Sequence, residues 1–299
     1  MASVLVRELI DAGIHFGHRA SRWNPKMGPY IFGKRNSIHI IDIRQTVKGL
    51  LRAKKFLAAV VAQGQDVLIV GTKRQARDTV VKQAQRVGMH YVSERWLGGT
   101  LTNFKTIRSR LTRLEFLEEL SRNGEIENYS KKARASIARE RAKITRNLEG
   151  IRKMTRLPGA LVIIDVNREH IAVKEARKLN IPTVCLVDTD SDPDGADILI
   201  PGNDDAMRAT ETILTQLVQA IEEGKRGRQS AGTPTGEASA GGPGHERRSR
   251  RVTTSSMAAQ QLESPSSAAS DDDAVEAITS PVSKESVSSP SPEVSDGVS

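Results

Sequence analysis

The chain has 299 residues, 37% of them hydrophobic, and carries 45 Lys and Arg against 36 Asp and Glu, a formal net charge of +9. That apolar content supplies a sizeable core and excludes a wholly disordered chain, while the positive excess points to a polyanionic partner. One cysteine, Cys185, excludes an intrachain disulfide or a cysteine-based zinc cluster and is expected as a small buried hydrophobe in a reducing compartment.

Near the N-terminus, Arg7, Glu8 and Asp11 interrupt what would have to be an apolar signal segment, and no later run approaches the ~18 apolar residues of a membrane span. A cytoplasmic location with no membrane partner is therefore expected. After a polar opening, the β-branched residues of Asn36–Ile43 predict a strand, and Thr46–Ala62 switches to helical spacing. Asp66–Val70 is a short apolar run ending at Gly71, followed by a helix from Thr72 or Lys73 to about Val87. The alternation returns as strand Ala160–Ile164, helix Ile171–Leu179, strand Thr183–Val187, strand Ile198–Ile200 and closing helix Ala206–Glu223. Continuous apolar runs alternating with amphipathic helices predict a doubly wound, mainly parallel α/β sheet with helices on both faces.

Between Lys105 and Arg156 no strand pattern occurs. Apolar residues three and four apart (Ile107, Leu111, Leu114, Leu117, Leu120; then Ile137, Ile144, Leu148, Ile151) predict two helices. With a break at Ser121–Gly124 they form an inserted antiparallel, coiled-coil-like hairpin. This segment holds 15 Lys or Arg against seven Glu, which is most of the positive excess of residues 1–225. Residues 226–299, rich in Ser, Gly, Pro and Ala, are expected to form a disordered tail outside the 1–225 domain; its basic patch Arg247–Arg251 is either a solvated charge run or an RNA contact.

Val67-Leu-Ile-Val-Gly-Thr-Lys73 places a glycine and a lysine at a helix start, a place suited to anions. Neither Gly-x-x-x-x-Gly-Lys-Ser/Thr nor Gly-x-Gly-x-x-Gly spacing is present, which leaves a tight turn with an RNA phosphate contact ahead of a nucleotide site and of any small-molecule substrate. His15 and His18 stand three apart, and Asp188, Asp190, Asp192, Asp194, Asp197, Asp204 and Asp205 crowd the last strand ends. Such a set is either loop chemistry, with Asp turning and capping, or a hard-cation site. No nucleophile elbow or Cys–His pair occurs; Asp165 near His170 reads as a general base or, more simply, as a cap or an RNA-facing group. The only two tryptophans, Trp23 and Trp96, are interleaved with cations in Arg19–Lys26 and Arg95–Lys105, a mixture that suits unstacked bases and phosphates if the rings are not core residues.

Gly13-Ile-His-Phe-Gly-His18, Arg22-Trp-Asn-Pro-Lys-Met27, Tyr30-Ile-Phe-Gly33, His39-Ile-Ile-Asp42, Val70-Gly-Thr-Lys-Arg-Gln-Ala76, Arg95-Trp-Leu-Gly-Gly-Thr-Leu-Thr-Asn-Phe104 and Pro201-Gly-Asn-Asp-Asp205 follow one another along residues 1–225. In kind and order they resemble the signatures of the bacterial small-subunit ribosomal protein two family. The resemblance implies a flavodoxin-like or Rossmann-like domain with an inserted helical hairpin, no catalytic activity, and a seat on the solvent side of the small subunit between head and body. It further implies binding to small-subunit ribosomal RNA and help in seating the large messenger-binding ribosomal protein one. No cofactor is required, although a zinc or magnesium ion held by His18, Asp188, Asp204 and Asp205 is implied. The long tail departs from the family's usual ending.

Charge and motif together nominate Arg19, Arg22, Trp23, Lys26, Lys34, Arg95, Asn103, Lys105, Arg108, Arg134, Arg139 and Arg141 as RNA contacts, with hairpin cations pairing with phosphates. Two rivals are a nucleotide-using enzyme on the same scaffold, opposed by the missing phosphate loop, and a protein scaffold with the hairpin as its arm, opposed by the surplus of cations.

Overall fold

In the computed structural model, residues 2–231 are described, and they fall within one compact unit. In chain order the elements are α1 (Ala2–Asp11), β1 (Phe16–Arg19), β2 (Ile31–Arg35), β3 (Ile38–Ile41), α2 (Ile43–Ala62), β4 (Val67–Val70), α3 (Arg77–Val87) and β5 (His90–Val92). Then follow α4 (Phe104–Arg122), α5 (Lys131–Leu148), β6 (Ala160–Ile164), α6 (His170–Lys178), β7 (Thr183–Val187), β8 (Ile198–Pro201) and α7 (Met207–Ala231).

Strands β4, β6 and β7 bury every residue, as strands covered on both faces must. With β5 and β8 they form an all-parallel sheet in the order β5-β4-β6-β7-β8. Alternate residues sort into two cores. Val67, Ile69, Val162, Ile164, Val184 and Leu186 pack against α2, α3 and α7. Leu68, Val70, Leu161, Ile163, Cys185 and Val187 pack on the opposite face, against α6 and the roots of α4 and α5 through Ile107, Leu111, Leu148 and Ile151. The chain steps from β4 to β5 on one side and returns to β6 on the other, so the carboxyl ends of β4 and β6 flank the point where strand order reverses, the usual place for a polar site in such a sheet.

The doubly wound reading holds, and several local expectations change. Asn36 and Ser37 adopt left-handed backbone conformations (φ 48° and 63°) and turn the chain between β2 and β3. The expected strand over Asn36–Ile43 is thereby shortened to β3, and it pairs antiparallel with β1 and β2 in a separate three-stranded sheet. Asp42, placed in that strand by sequence, instead caps α2 by accepting the Arg44 N–H at 2.9 Å. The polar opening, read without elements, holds α1, whose Leu9 is fully buried, together with β1 and β2. α3 starts at Arg77, later than expected, because residues 73–76 form a turn.

Helices α4 and α5 lie against each other, with Arg113 facing Glu140 at 3.4 Å and Arg141 facing Ser121 at 3.5 Å. α4 buries Ile107, Leu111, Leu114, Leu117 and Leu120, whereas α5 buries only Leu148. α7 continues past Glu223 to Ala231, so residues 226–231, assigned to the disordered tail, are helical instead; the rest of that tail, with its basic patch, lies outside the described residues.

Candidate nucleic-acid interface and acidic cluster

All twelve nominated RNA contacts are exposed, and one of them has its charge engaged. Arg19, Arg22, Trp23 and Lys34 lie on or beside the small antiparallel sheet, Arg95, Asn103, Lys105 and Arg108 at the root of α4, and Arg134, Arg139 and Arg141 along α5. Lys26 is the exception: its ammonium lies 3.0 Å from Asp192 and 2.5 Å from Asp194, so its charge is held within the protein. The two tryptophans divide. Trp96 is buried in the core beneath the α4 root. Trp23 is 38% exposed with its ring 5.0 Å from that of His39, so of the two tryptophans Trp23 is the one that presents an aromatic face outward.

The α4 root owes its shape to a residue that motif reading passed over. Glu175, on the buried face of α6 with Ala172, Val173 and Ala176, sends its carboxylate into the 96–102 loop. It accepts from the Trp96 indole at 3.1 Å, from the backbone N–H groups of Gly99, Leu101 and Thr102 at 2.7, 2.9 and 3.1 Å, and from the Thr102 hydroxyl. Burial works against this charge, but the Thr102, Leu101 and Gly99 amides and the indole outweigh it and hold the carboxyl below its usual range. A glutamate among alanines and valine on the apolar face of a helix was the available signal.

At the carboxyl ends of the parallel strands the Gly71-Thr72-Lys73 turn is closed to anions. The Thr72 N–H and hydroxyl both donate to the buried Glu169, whose carboxyl burial pushes upward. The Lys73 ammonium meets Asp205 at 2.6 Å, Asp204 at 2.7 Å and Asp165 at 3.5 Å. A phosphate would find that amide occupied and that cation neutralised, so the RNA-phosphate contact expected at Lys73 is not built here, and neither is the nucleotide site ranked behind it. The Asp165 carboxylate, set by a left-handed backbone (φ 67°), caps the N–H of Arg168, which is the capping alternative of its two simpler readings.

Beside Lys73 stands His18. Gly17 lets β1 approach the 188–189 loop, where a Cβ would meet the Thr189 side chain at 2.6 Å, and the His18 N–H donates to the Thr189 hydroxyl. The His18 Nδ1 faces Asp188 Oδ2 at 3.1 Å, but both atoms are buried and lack an aligned hydrogen-bond partner. Donor atoms of His18, Asp188 and Asp204 all lie within 4.8 Å of one another. This buried pair, 3.1 Å apart without an aligned hydrogen bond, has a third carboxylate in reach and fits a divalent cation of zinc or magnesium type. Asp205, the fourth nominated ligand, lies instead against His18 Nε2 at 3.2 Å and Lys73.

Without an ion, the Asp188 contact raises the His18 imidazole to about 9 against its burial. Burial and the neighbouring Asp188 and Asp165 raise Asp204 to about 7, against the pull of Lys73. Burial also opposes the Asp205 charge, but Lys73 and His18 hold that carboxyl low. The cluster balances carboxylates with cations at the carboxyl ends of the strands; among the described residues no nucleophile is aligned with a base there.

The architecture and its surface chemistry agree with what the chain is similar to. The model of the family described as "Ribosomal protein S2" matches residues 9–224. A "Small ribosomal subunit protein uS2" from Rhodopirellula baltica is 56% identical over 239 residues, covering 80% of this chain and 92% of that protein. Proteins of the same description from Desulforapulum autotrophicum and Desulfatibacillum aliphaticivorans are each 50% identical, over 247 and 226 residues, covering 81% and 76% of this chain and 88% and 77% of theirs. No helix among the described residues is long and apolar enough to cross a membrane. A family model spanning both faces of the sheet and the hairpin between them, with relatives half identical over most of their length, leaves one assignment: the chain belongs to the ribosomal protein S2 family, whose members are structural ribosomal proteins and not enzymes.

Proposed function

We propose that this ribosomal protein binds small-subunit ribosomal RNA chiefly through its helical hairpin and offers a separate apolar face to a protein partner, the large messenger-binding ribosomal protein one. The observation that carries the RNA reading is α5. Its 18 residues bury one side chain, Leu148, and hold seven cations (Lys131, Lys132, Arg134, Arg139, Arg141, Lys143, Arg146) against one acid, Glu140. None of those seven forms an ion pair among the described residues. A cantilevered row of unpaired cations has little to gain from the protein's own surface and much from phosphates, whose condensed counterions it releases. The exposed Arg95, Asn103, Lys105 and Arg108 continue that surface at the root, and Trp23 adds a stacking face near Arg19, Arg22 and Lys34.

The protein-docking reading rests on a groove of about 700 Å³ where α1, the start of α2 and the small sheet meet. Val6, Ile10, Phe32, Ile40, Ile43 and Val47 line it, and Phe32 stands 80% exposed. A large aromatic turned outward beside an apolar groove favours a protein partner over RNA. His18, Asp188 and Asp204 are the residues that would hold a divalent cation; its charge would pin β1 to the ends of β7 and β8.

Sedimentation of a cell lysate through sucrose gradients at low and high salt tests this. Cosedimentation with the small subunit at low salt and release at high salt is expected. A chain confined to the soluble top fractions at low salt would overturn the reading.

A further inference from the structure

We infer that α2 carries a second polyanion-binding face, which takes the phosphate backbone of an RNA segment other than the one met by the hairpin. The inference rests on the RNA reading above, and it concerns residues that no motif singled out.

Helix α2 has five cations and no acidic residue in its 20 positions. Lys54 is turned inward, donating to Gln216 at 2.9 Å. The other four, Arg44, Lys48, Arg52 and Lys55, are exposed and recur at spacings of four, four and three, so they share one face of the helix as a row about 16 Å long. None of the four forms an ion pair among the described residues. The carboxylates across the adjoining groove are already engaged: Lys26 holds Asp192 and Asp194, and Asp197 accepts from the backbone N–H and hydroxyl of Thr183.

A solvated helix face normally mixes both signs, since like charges four apart repel and opposite charges support the helix. Here the repulsion among neighbouring cations is left standing, and a polyanion would relieve it. The row is also rigidly mounted. Leu50, Ala53, Leu57 and Val61 anchor α2 in the core, and Gly49 lets its backbone press onto β8, where a Cβ would collide with the Leu199 carbonyl. Straight, rigid and unpaired, the row fits a backbone track better than a base-reading site.

Its position gives the inference its consequence. α2 packs on the face of the sheet that carries Val67, Ile69, Val162 and Val184, while the hairpin root packs on the face of Leu68, Val70 and Leu161. Two cationic surfaces on opposite faces of one sheet cannot follow a single short RNA segment, so the domain acts as a spacer that ties two segments together.

The test uses the full-length chain, small subunits stripped of it, and hydroxyl-radical footprinting of the RNA. The wild type is expected to protect two separate segments. The triple variant K48E/R52E/K55E should lose one and keep the other, bind about ten- to a hundredfold more weakly, and show a salt slope smaller by about two to three. R134E/R139E/R141E should lose the other segment, and the neutral K48Q/R52Q/K55Q should shift affinity in the same direction by less. An α2 variant with wild-type footprint and slope, while the hairpin variant weakens as expected, overturns this inference alone. Weakened binding with both RNA footprints intact also overturns it, since the row would then serve a protein. Wild-type behaviour of both variants would sink the RNA reading itself.

Discussion

Glu175 accepts the indole N–H of Trp96 at 3.1 Å, and the same carboxylate gathers three backbone amides from the loop that leads into α4. Replacing it with alanine leaves these donors without partners in the interior, a loss on the order of 3 kcal/mol or more in denaturant unfolding. Glu175→Gln keeps the shape but sets an amide N–H₂ against N–H donors and should cost about 1–3 kcal/mol. Because the folded carboxyl is held below its ordinary 4.5, its contribution is present above that pH and lost as pH falls through the lower folded value. The gap between wild type and Glu175→Gln should therefore be constant near neutrality and shrink in acid; a gap that widens in acid would contradict the assignment.

Gly49→Ala tests a close approach against helix propensity. In an exposed helix the change would stabilise by up to about 1 kcal/mol. Here the added Cβ would run into the Leu199 carbonyl, so α2 must lift from β8 and stability should fall by about 1–3 kcal/mol. A higher melting temperature in Gly49→Ala would show that the contact is loose.

Much of this fold is legible in the sequence where burial is complete. β4, β6 and β7 bury all their residues, so their apolar runs mark them, and the leucine stripe of α4 marks a helix. Elements that mix exposed and buried positions over three to five residues are not: β1 reads Phe-Gly-His-Arg and β5 is His-Tyr-Val, and neither has length enough for a period to emerge. The site residues divide the same way. Cations on a solvated helix announce themselves by number, as along α5. What Lys26 and Lys73 do depends on carboxylates more than 90 positions away, at Asp165, Asp192, Asp194 and Asp204, which no local pattern reveals.

His18 sets opposite pH signatures for the metal-free and metal-bound protein. Its folded value of about 9 lies above the ordinary 6.5, so in chelator its contact with Asp188 contributes stability fully below pH 6.5 and loses it as pH rises through 9. His18→Gln should thus be more destabilising at pH 6 than at pH 9.5. A zinc ion needs the neutral imidazole, so zinc should raise the melting temperature more at pH 8.5 than at pH 6.5, and His18→Gln should remove that gain. Equal zinc effects at both pH values, or a gain that survives in His18→Gln, would dismiss the ion from this cluster.

Phe32 separates the two partners. At 80% exposure its side chain contributes little to the fold, so Phe32→Glu should leave melting temperature and small-subunit association unchanged. Ribosomal protein one should nevertheless be retained at least tenfold less on small subunits carrying that variant, measured by quantitative mass spectrometry of gradient fractions. Full retention would move the docking face elsewhere.

The most direct test of the account is the occupancy of small subunits by R134E/R139E/R141E as a function of salt. These three cations are exposed on α5 and none is part of an ion pair among the described residues, so the variant should fold with an unchanged melting temperature. Affinity is expected to fall by about a hundredfold at 0.1 M salt, with the log-log salt slope reduced by about two to three. Wild-type affinity and wild-type slope in a folded variant would contradict the claim that the hairpin delivers this protein's charge to RNA.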